Sequence, residues 1–298
     1  MTESEFIAAL RTLPLHSGAR GLLDDAALVA AGPLVLTTDT LVEGVHFLAA
    51  DPPEDVAWKL VAVSLSDLAA KGARPEGILL NYPLDRDGGD RRFLAGLAEV
   101  LETFDVALIG GDTVSLPAGA PRVLTVTSLG ADAAAPSRTD ACAGDGLWVT
   151  GTIGDAGAGL QIALGEAGPA ELLAAYRRPW PRLAEGRALG PVVHAMADVS
   201  DGLLLDAARM AAASGLSVSV ALDAVPLSPA ARAWGMDPLA AATAGDDYQL
   251  LFAAPAGWTP PVAATLVGRF ADGSGLGLTH AGLPVPLPAS LGYQHASR

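Results

Sequence analysis

The sequence predicts a fold of mixed helices and strands, arranged as two domains or as one large one, and three observations carry that reading. The chain has 298 residues, about twice the commonest domain size. Short apolar runs of strand length alternate with longer runs whose apolar residues recur at helical spacing. Near the middle, an alanine run, Pro136 and the stretch Arg138 to Gly144 have the composition of a connecting loop, which marks the preferred boundary between residues 1–135 and 136–298.

Hydrophobic residues make up 51% of the chain and aromatic ones only 5%, so the core must be built mostly from Ala, Leu and Val. The 33 acidic residues against 18 basic ones give a formal charge of −15, which argues against nucleic acid or any partner that offers phosphates to a basic face. No apolar run reaches the ~18 residues needed to span a bilayer, so no membrane segment is expected. The start, Met1 to Glu5, is acidic and lacks the basic region of a signal peptide, which makes a soluble, cytoplasmic protein the expectation. Cys142, the single cysteine, cannot form an internal disulfide and is expected to be a small buried residue.

Taken in order, Ser4 to Leu13 carries Phe6, Ile7 and Leu10 as a short helix closed by Pro14, and Gly18 to Asp25 is a loop ending in Asp24-Asp25. Adjacent carboxylates repel, so such a pair belongs beside a cation or in open solvent. Leu34-Val35-Leu36 is a buried strand that runs into Thr37-Thr38-Asp39-Thr40, residues of the kind that bind a hard cation and what it carries. Asp51 to Asp55 opens a helix, with proline and acids where the dipole favours them, and Gly72 stops it after Lys71. Most of that helix is apolar around its circumference, except for Ser64, Asp67 and Lys71, which share one face. A carboxylate on so apolar a helix needs a partner, either Lys71 or a metal.

Leu79 to Leu84 reads as a strand, Arg91 to Phe104 as an amphipathic helix, and Val106 to Ile109 as a buried strand ending in Gly110-Gly111-Asp112-Thr113. Two glycines there let backbone N–H groups approach a phosphate and place a carboxylate beside it. Arg122 to Gly130 alternates as an antiparallel strand would. Past the boundary, the strand Leu147 to Thr150 opens into Gly151 to Gly159. Those glycines lack the G-x-G-x-x-G spacing, so the stretch is a tight turn into a helix near Ala156. Arg177 to Arg182 is the densest basic patch, a helix cap and turn or a binding element. Met196 to Leu203 repeats the logic of a strand running into carboxylates, since Asp198, Ser200 and Asp201 exceed what one N-cap requires. Leu216 to Leu222 is a strand and Asp237 to Thr243 a short helix. Asp246 and Asp247 precede an apolar strand through Phe252, and the tail from Ala271 is rich in Gly and Pro.

Asp25, Asp39, Asp67, Asp112, Asp198 and Asp201 all fall at or near the ends of apolar elements, whereas solvated acids would scatter along polar helix faces. Hard oxygen donors without accompanying His or Cys favour Mg²⁺ over zinc or copper. With Gly-rich turns they suggest phosphoryl transfer from a nucleotide. Neither G-x-x-x-x-G-K-[ST] nor a protein-kinase signature is present.

Leu23-Asp24-Asp25, Thr37 to Phe47, Val63 to Ala69, Gly110 to Thr113, Arg178-Pro179-Trp180-Pro181-Arg182, Asp198 to Leu203 and Gly245-Asp246-Asp247-Tyr248, in this order, resemble the successive motifs of thiamine-monophosphate kinase, with a weaker echo in Gly292-Tyr293. That family is grouped with aminoimidazole ribonucleotide synthetase and selenophosphate synthetase. The resemblance implies a two-domain α/β fold, mixed α+β, whose N-terminal sheet domain binds ATP and Mg²⁺ and pairs in a homodimer, and whose C-terminal α/β domain completes the substrate site. It implies that Asp25, Thr37, Thr38, Asp39, Asp67, Asp112, Asp198 and Asp201 hold several Mg²⁺ ions. Gly111, Asp112, Arg138 and Ser200 would contact ATP, and His46, Asp246 and Tyr293 thiamine monophosphate. The acceptor phosphate is already ionised near neutral pH, so no general base is expected.

The chain departs from the family pattern at Gly21-Leu22-Leu23, where the second and third residues are usually Ile and Gly. Ser64 stands for Asn, Lys71 for Met and Asp246 for Glu. Two other readings stand beside this one: another ATP-dependent enzyme of the superfamily, or a non-catalytic nucleotide- or metal-binding regulatory module. Cys142 matches neither the N-terminal reactive Cys of selenophosphate synthetase nor the C-terminal Cys of the hydrogenase-maturation member, and retention of six carboxylates argues against a relic.

Overall fold

The computed structural model describes residues 3–17, 19, 32, 34–85, 88–131, 133–255 and 257–295. The chain divides into two units, Met1–Leu68 with Ala73–Ala133, and Ala69–Gly72 with Ala134–Arg298.

The first unit contains α1 (Glu3–Leu10), β1 (Val35–Val42), α2 (Pro53–Ala69), β2 (Arg74–Pro83), α3 (Asp90–Thr103), β3 (Leu108–Val114) and β4 (Val123–Ala131). Among the described residues its strands form a four-stranded sheet in the order β1-β4-β2-β3. Only the β2–β3 pair in it is parallel. β1 extends past Leu36 through the Thr-rich stretch, because Val and Thr are β-branched and fit a pleated surface. Its alternation is strict: Leu36, Thr38 and Thr40 are exposed, while Val35, Thr37, Asp39 and Leu41 turn to the covered side.

That covered side is a tightly packed helical layer. Val56, Ala57, Leu60, Val61, Leu65 and Leu68 of α2 are all buried, each large one worth about 1.5–3 kcal/mol on removal from water. α3 meets α2 at Gly96, where a Cβ would lie 2.2 Å from the Glu54 carbonyl oxygen. Phe6 of α1 stacks on Tyr82 at 4.6 Å between ring centroids, and Phe93 lies tilted against the same ring at 4.4 Å. β3 likewise outruns its expected end at Ile109. The Gly110–Thr113 stretch lies inside the strand, behind a register shift opposite Ile78 and Leu79.

The second unit contains β5 (Gly146–Thr150), α4 (Asp155–Ala163), α5 (Ala170–Arg177), α6 (Leu183–Leu189), β6 (Ala195–Asp198), α7 (Leu203–Ala213), β7 (Leu216–Ala221), α8 (Pro229–Trp234), α9 (Pro238–Thr243), β8 (Leu250–Ala254), β9 (Ala264–Asp272), β10 (Gly275–His280) and β11 (Leu283–Val285). Its described strands form a seven-stranded sheet in the order β11-β10-β7-β9-β5-β8-β6. Leu203, Leu204, Ala207 and Met210 of α7 share a buried core with Val218, Val220, Leu251, Val267 and Phe270. Lys71, beyond the end of α2, donates to the carbonyls of Pro136 at 3.0 Å and Met196 at 3.2 Å.

Two expectations need correction. β10 and β11 lie in the tail read only as rich in Gly and Pro, because Gly275 and Gly277 remove the side chains that would have shown a period of two. Cys142 is exposed rather than buried: it sits in a turn closed by Asp145 N–H on its carbonyl at 3.0 Å, just ahead of β5. Among the described residues no helix is long and apolar enough to cross a membrane.

Candidate functional site

In the first unit the two-residue period of β1 delivers Thr37 and Asp39 to the side covered by α2, and the three- and four-residue spacing of α2 presents Ser64 and Asp67 there. The Thr37 hydroxyl donates to Asp67 Oδ2. Asp39 is pushed up to about 6 from 3.8, first by burial and then by the like charge of Asp67, while the Ser64 hydroxyl favours its charged form. Among the described residues Asp39 Oδ2 is buried with no hydrogen-bond partner. A buried carboxylate oxygen without a donor, beside a second carboxylate, leaves negative charge uncompensated. Two carboxylates and a hydroxyl are a hard oxygen set, and the cluster fits a divalent cation such as Mg²⁺.

The other predicted residues of this unit are placed differently. Thr38 points to the opposite face, where its hydroxyl donates to the Val126 carbonyl at 3.1 Å and accepts from Thr127 Oγ1 at 3.1 Å. Gly111 lies across the sheet from Asp39 along the row Asp39, Val126, Leu80, Gly111. Three strand spacings separate the ends of that row, about 14 Å. Asp112, opposite Asn81, is exposed and accepts the Thr113 N–H at 2.9 Å. It is out of reach of an ion held between Asp39 and Asp67. Asp25 lies outside the described residues.

His46 follows β1 in a turn, where its N–H donates to the Val42 carbonyl at 2.9 Å. Its ring Nδ1 accepts the Val42 N–H at 3.0 Å. A backbone N–H can only donate, so neutral His46 carries its proton on Nε2. The buried Lys59 amine holds the His46 carbonyl at 3.0 Å. A cavity of about 690 Å³ in this unit, lined by Glu43, Asp51, Asp85, Arg92 and Arg122 among others, contains none of the predicted site residues.

In the second unit Asp198 ends β6 and is only 4% exposed. Asp201 sits where the chain turns into α7, with Arg209 Nη1 on its Oδ2; the same guanidinium nitrogen reaches Asp206 Oδ1 at 3.0 Å. Burial raises the Asp206 carboxyl above the usual range. Two backbone bonds then gather the predicted residues: Asp246 N–H donates to the Ser200 carbonyl at 2.8 Å and Tyr293 N–H to the Asp201 carbonyl at 2.9 Å. Asp246 and Tyr248 both adopt left-handed φ, +67° and +50°, uncommon for Asp and an outlier for a bulky Tyr. The Tyr248 hydroxyl donates to Asp246 Oδ1 at 3.1 Å, and its N–H to the Val199 carbonyl at 2.8 Å. Asp247 turns the other way, accepting Gly154 N–H on both oxygens at the start of α4; burial raises its carboxyl well above the usual range.

Asp246, Arg178, Trp180, Arg182 and Gln249 line one cavity of about 150 Å³. Arg182 is oriented by Gln249 at 2.8 Å and Glu185 at 3.6 Å. Arg138, in the loop before β5, is half-buried, and its carbonyl accepts from the Ser214 hydroxyl at 3.3 Å. Sequence reasoning left Arg209 and Asp206 unassigned. The signal was the i,i+3 pair on α7, legible once the helix start is known.

The chain matches the family model described as AIR synthase related protein, N-terminal domain, over residues 23–131, and the corresponding C-terminal domain over residues 143–273. It is 41% identical to the thiamine-monophosphate kinase of Caulobacter vibrioides, over 99% of this chain and 91% of that relative. The Salmonella typhimurium thiamine-monophosphate kinase is 36% identical, over 92% of this chain and 91% of its own length. Among solved structures, the thiamine-monophosphate kinase of Stenotrophomonas maltophilia K279a superposes with a TM-score of 0.79 at 36% identity, covering 89% of this chain and 91% of that one. AaThiL, described as complexed with AMPPCP and TMP, gives 0.79 at 32% identity and 91% of both chains. The hydrogenase maturation protein HypE of E. coli shares the fold at 21% identity, with a TM-score of 0.76 over 98% of this chain and 97% of its own.

Proposed function

This chain belongs to the thiamine-monophosphate kinases of the AIR synthase related family, and from that premise we propose that it transfers the γ-phosphoryl group of ATP in line onto the phosphate of thiamine monophosphate, assisted by several Mg²⁺ ions. An oxygen of the acceptor phosphate forms the new bond to phosphorus as the bond to the ADP oxygen breaks, leaving thiamine diphosphate and ADP. That oxygen carries no proton near neutral pH, so no side chain has to remove one. Bound Mg²⁺ supplies the charge that screens one phosphate from the other.

The observation that carries this reading is the buried, unpartnered Asp39 Oδ2 beside Asp67. Thr37, Asp39 and Asp67 would hold metal in the first unit, with Asp112 and Asp25 at further metal positions, while the Thr38 hydroxyl faces away from this cluster. Asp198 and Asp201 would hold metal in the second unit, where Arg209 now neutralises Asp201. Gly111, Asp112, Arg138 and Ser200 are assigned to ATP, and His46, Asp246 and Tyr293 to thiamine monophosphate. The purified protein with ATP, Mg²⁺ and thiamine monophosphate is expected to form thiamine diphosphate. ADP release without that product would overturn the substrate.

His46→Asn isolates the Nε2 position, because the Asn Oδ1 can accept the Val42 N–H in place of Nδ1 while nothing replaces Nε2. The variant should stay folded and raise KM for thiamine monophosphate about tenfold or more, as loss of a charge-assisted hydrogen bond does. An unchanged KM would remove His46 from the substrate site.

The proposed homodimer has a surface to use. Leu36, Leu79, Val114 and Val123 are exposed and, by register, share the outward face of the first sheet with Thr38 and Thr40. Leu36, 62% exposed, would be covered by a second copy. Leu36→Glu should convert a dimer to monomer in sedimentation velocity; a monomeric wild type would overturn the assembly.

A further inference from the structure

The one cysteine lies in a cluster outside everything assigned above. Cys142 Sγ, an Asp145 carboxylate oxygen and a ring nitrogen of His194 lie within 4.8 Å of one another. The topology of the second unit puts them there. β5 and β6 flank β8, with Gly146 opposite Ala254 and Ala195 opposite Ala253, so the residues just before the two strands arrive on the same edge. Asp145 is 3% exposed. Its Oδ2 accepts the Cys142 N–H at 2.8 Å, and its two oxygens lie 3.1 and 2.9 Å from His194 Nδ1. The Cys142 thiol makes only a long contact, 3.7 Å, to the Asp140 carbonyl.

We infer that Cys142, Asp145 and His194 form a binding site for one borderline-soft divalent transition metal ion, Zn²⁺ in type. Thiolate and imidazole select such ions over Mg²⁺, and three protein ligands with an open fourth position are a known zinc arrangement. Cys142 is exposed and the His194 side chain 39% exposed, which leaves the fourth position to water. Ligand atoms around tetrahedral zinc stand roughly 3.5 Å apart, so side-chain adjustment on the order of 1 Å closes the site. Binding expels the thiol proton to solvent and sets the ion in place of the hydrogen between His194 Nδ1 and the Asp145 carboxylate, the neutral imidazole then carrying its proton on Nε2.

Cobalt(II) is the probe, added to the full-length protein with Mg²⁺ in excess to occupy oxygen-only sites. One equivalent is expected to bind with a thiolate-to-cobalt charge-transfer band in the near ultraviolet, and Zn²⁺ is expected to displace it. Cys142→Ala should abolish the band and leave phosphoryl transfer at the wild-type rate, and His194→Gln should weaken cobalt binding at least about tenfold. Circular dichroism of both variants establishes that they are folded. Cobalt uptake without the band, a band that survives Cys142→Ala, or full affinity in His194→Gln would each overturn the site.

Discussion

Asp39→Asn is expected to lower turnover about a hundredfold or more while leaving the fold intact. Outer-shell changes alone cost 10- to 100-fold in many metal sites, and Asp39 is placed as a direct ligand. The fold should survive because Asn fills the same volume, keeps the strand pairing to Val126, and removes a charge that burial and Asp67 both oppose. The pH dependence separates this from a packing defect. In chelator-treated protein the folded form keeps the Asp39 proton up to about 6, whereas the unfolded chain loses it near 3.8. Between those values the folded state binds more protons, so this group makes stability fall as pH rises through the window and then level off. The displacement corresponds to about 3 kcal/mol. Chemical denaturation across that range should show the decline in the wild type and a flatter profile in Asp39→Asn. Wild-type turnover would remove Asp39 from the metal cluster.

Gly111→Ala is expected to cost the first unit about 3 kcal/mol or more, lowering its unfolding temperature by roughly 10 °C or leaving the protein insoluble. A Cβ at this position would lie 1.8 Å from the Leu80 carbonyl oxygen and 2.7 Å from its carbon, in the register where β2 and β3 pair. Those are backbone atoms, so no rotamer change relieves the overlap, and the two strands must separate. Thermal unfolding without nucleotide tests it. A wild-type transition with weaker ATP binding would mean that this glycine serves only the approach of a phosphate.

Asp39 and Asp67 were legible as candidates because a carboxylate at the end of an apolar strand and another on an apolar helix both lack a cheap explanation in solvent. Thr38 and Asp112 were grouped with them because the chemistry of a stretch does not say which face a side chain takes; strand parity and sheet order decide that. Asp201 read as a free ligand because Arg209 is eight residues away, and that spacing has meaning only once α7 is known to begin at Leu203. β10 was hidden by glycines, whose missing side chains erase the alternation that identifies a strand. The exposure of Cys142 follows from a turn held by the buried Asp145, a contact invisible to composition. The two-domain organisation, by contrast, was legible in the chain's length and in the loop composition around Pro136, and the ordered set of short motifs agreed with it.

The strict alternation of β1 makes substitutions and length changes in that strand different events. A residue exchanged at 36, 38 or 40 alters only the outward surface, and one exchanged at 37 or 39 alters only the carboxylate cluster, so the two can vary independently. Adding or deleting a single residue between Val35 and Thr37 would rotate every later side chain to the other face, setting Asp39 in the open and a leucine or threonine beside Asp67. β1 can therefore diverge in composition while its length stays constant.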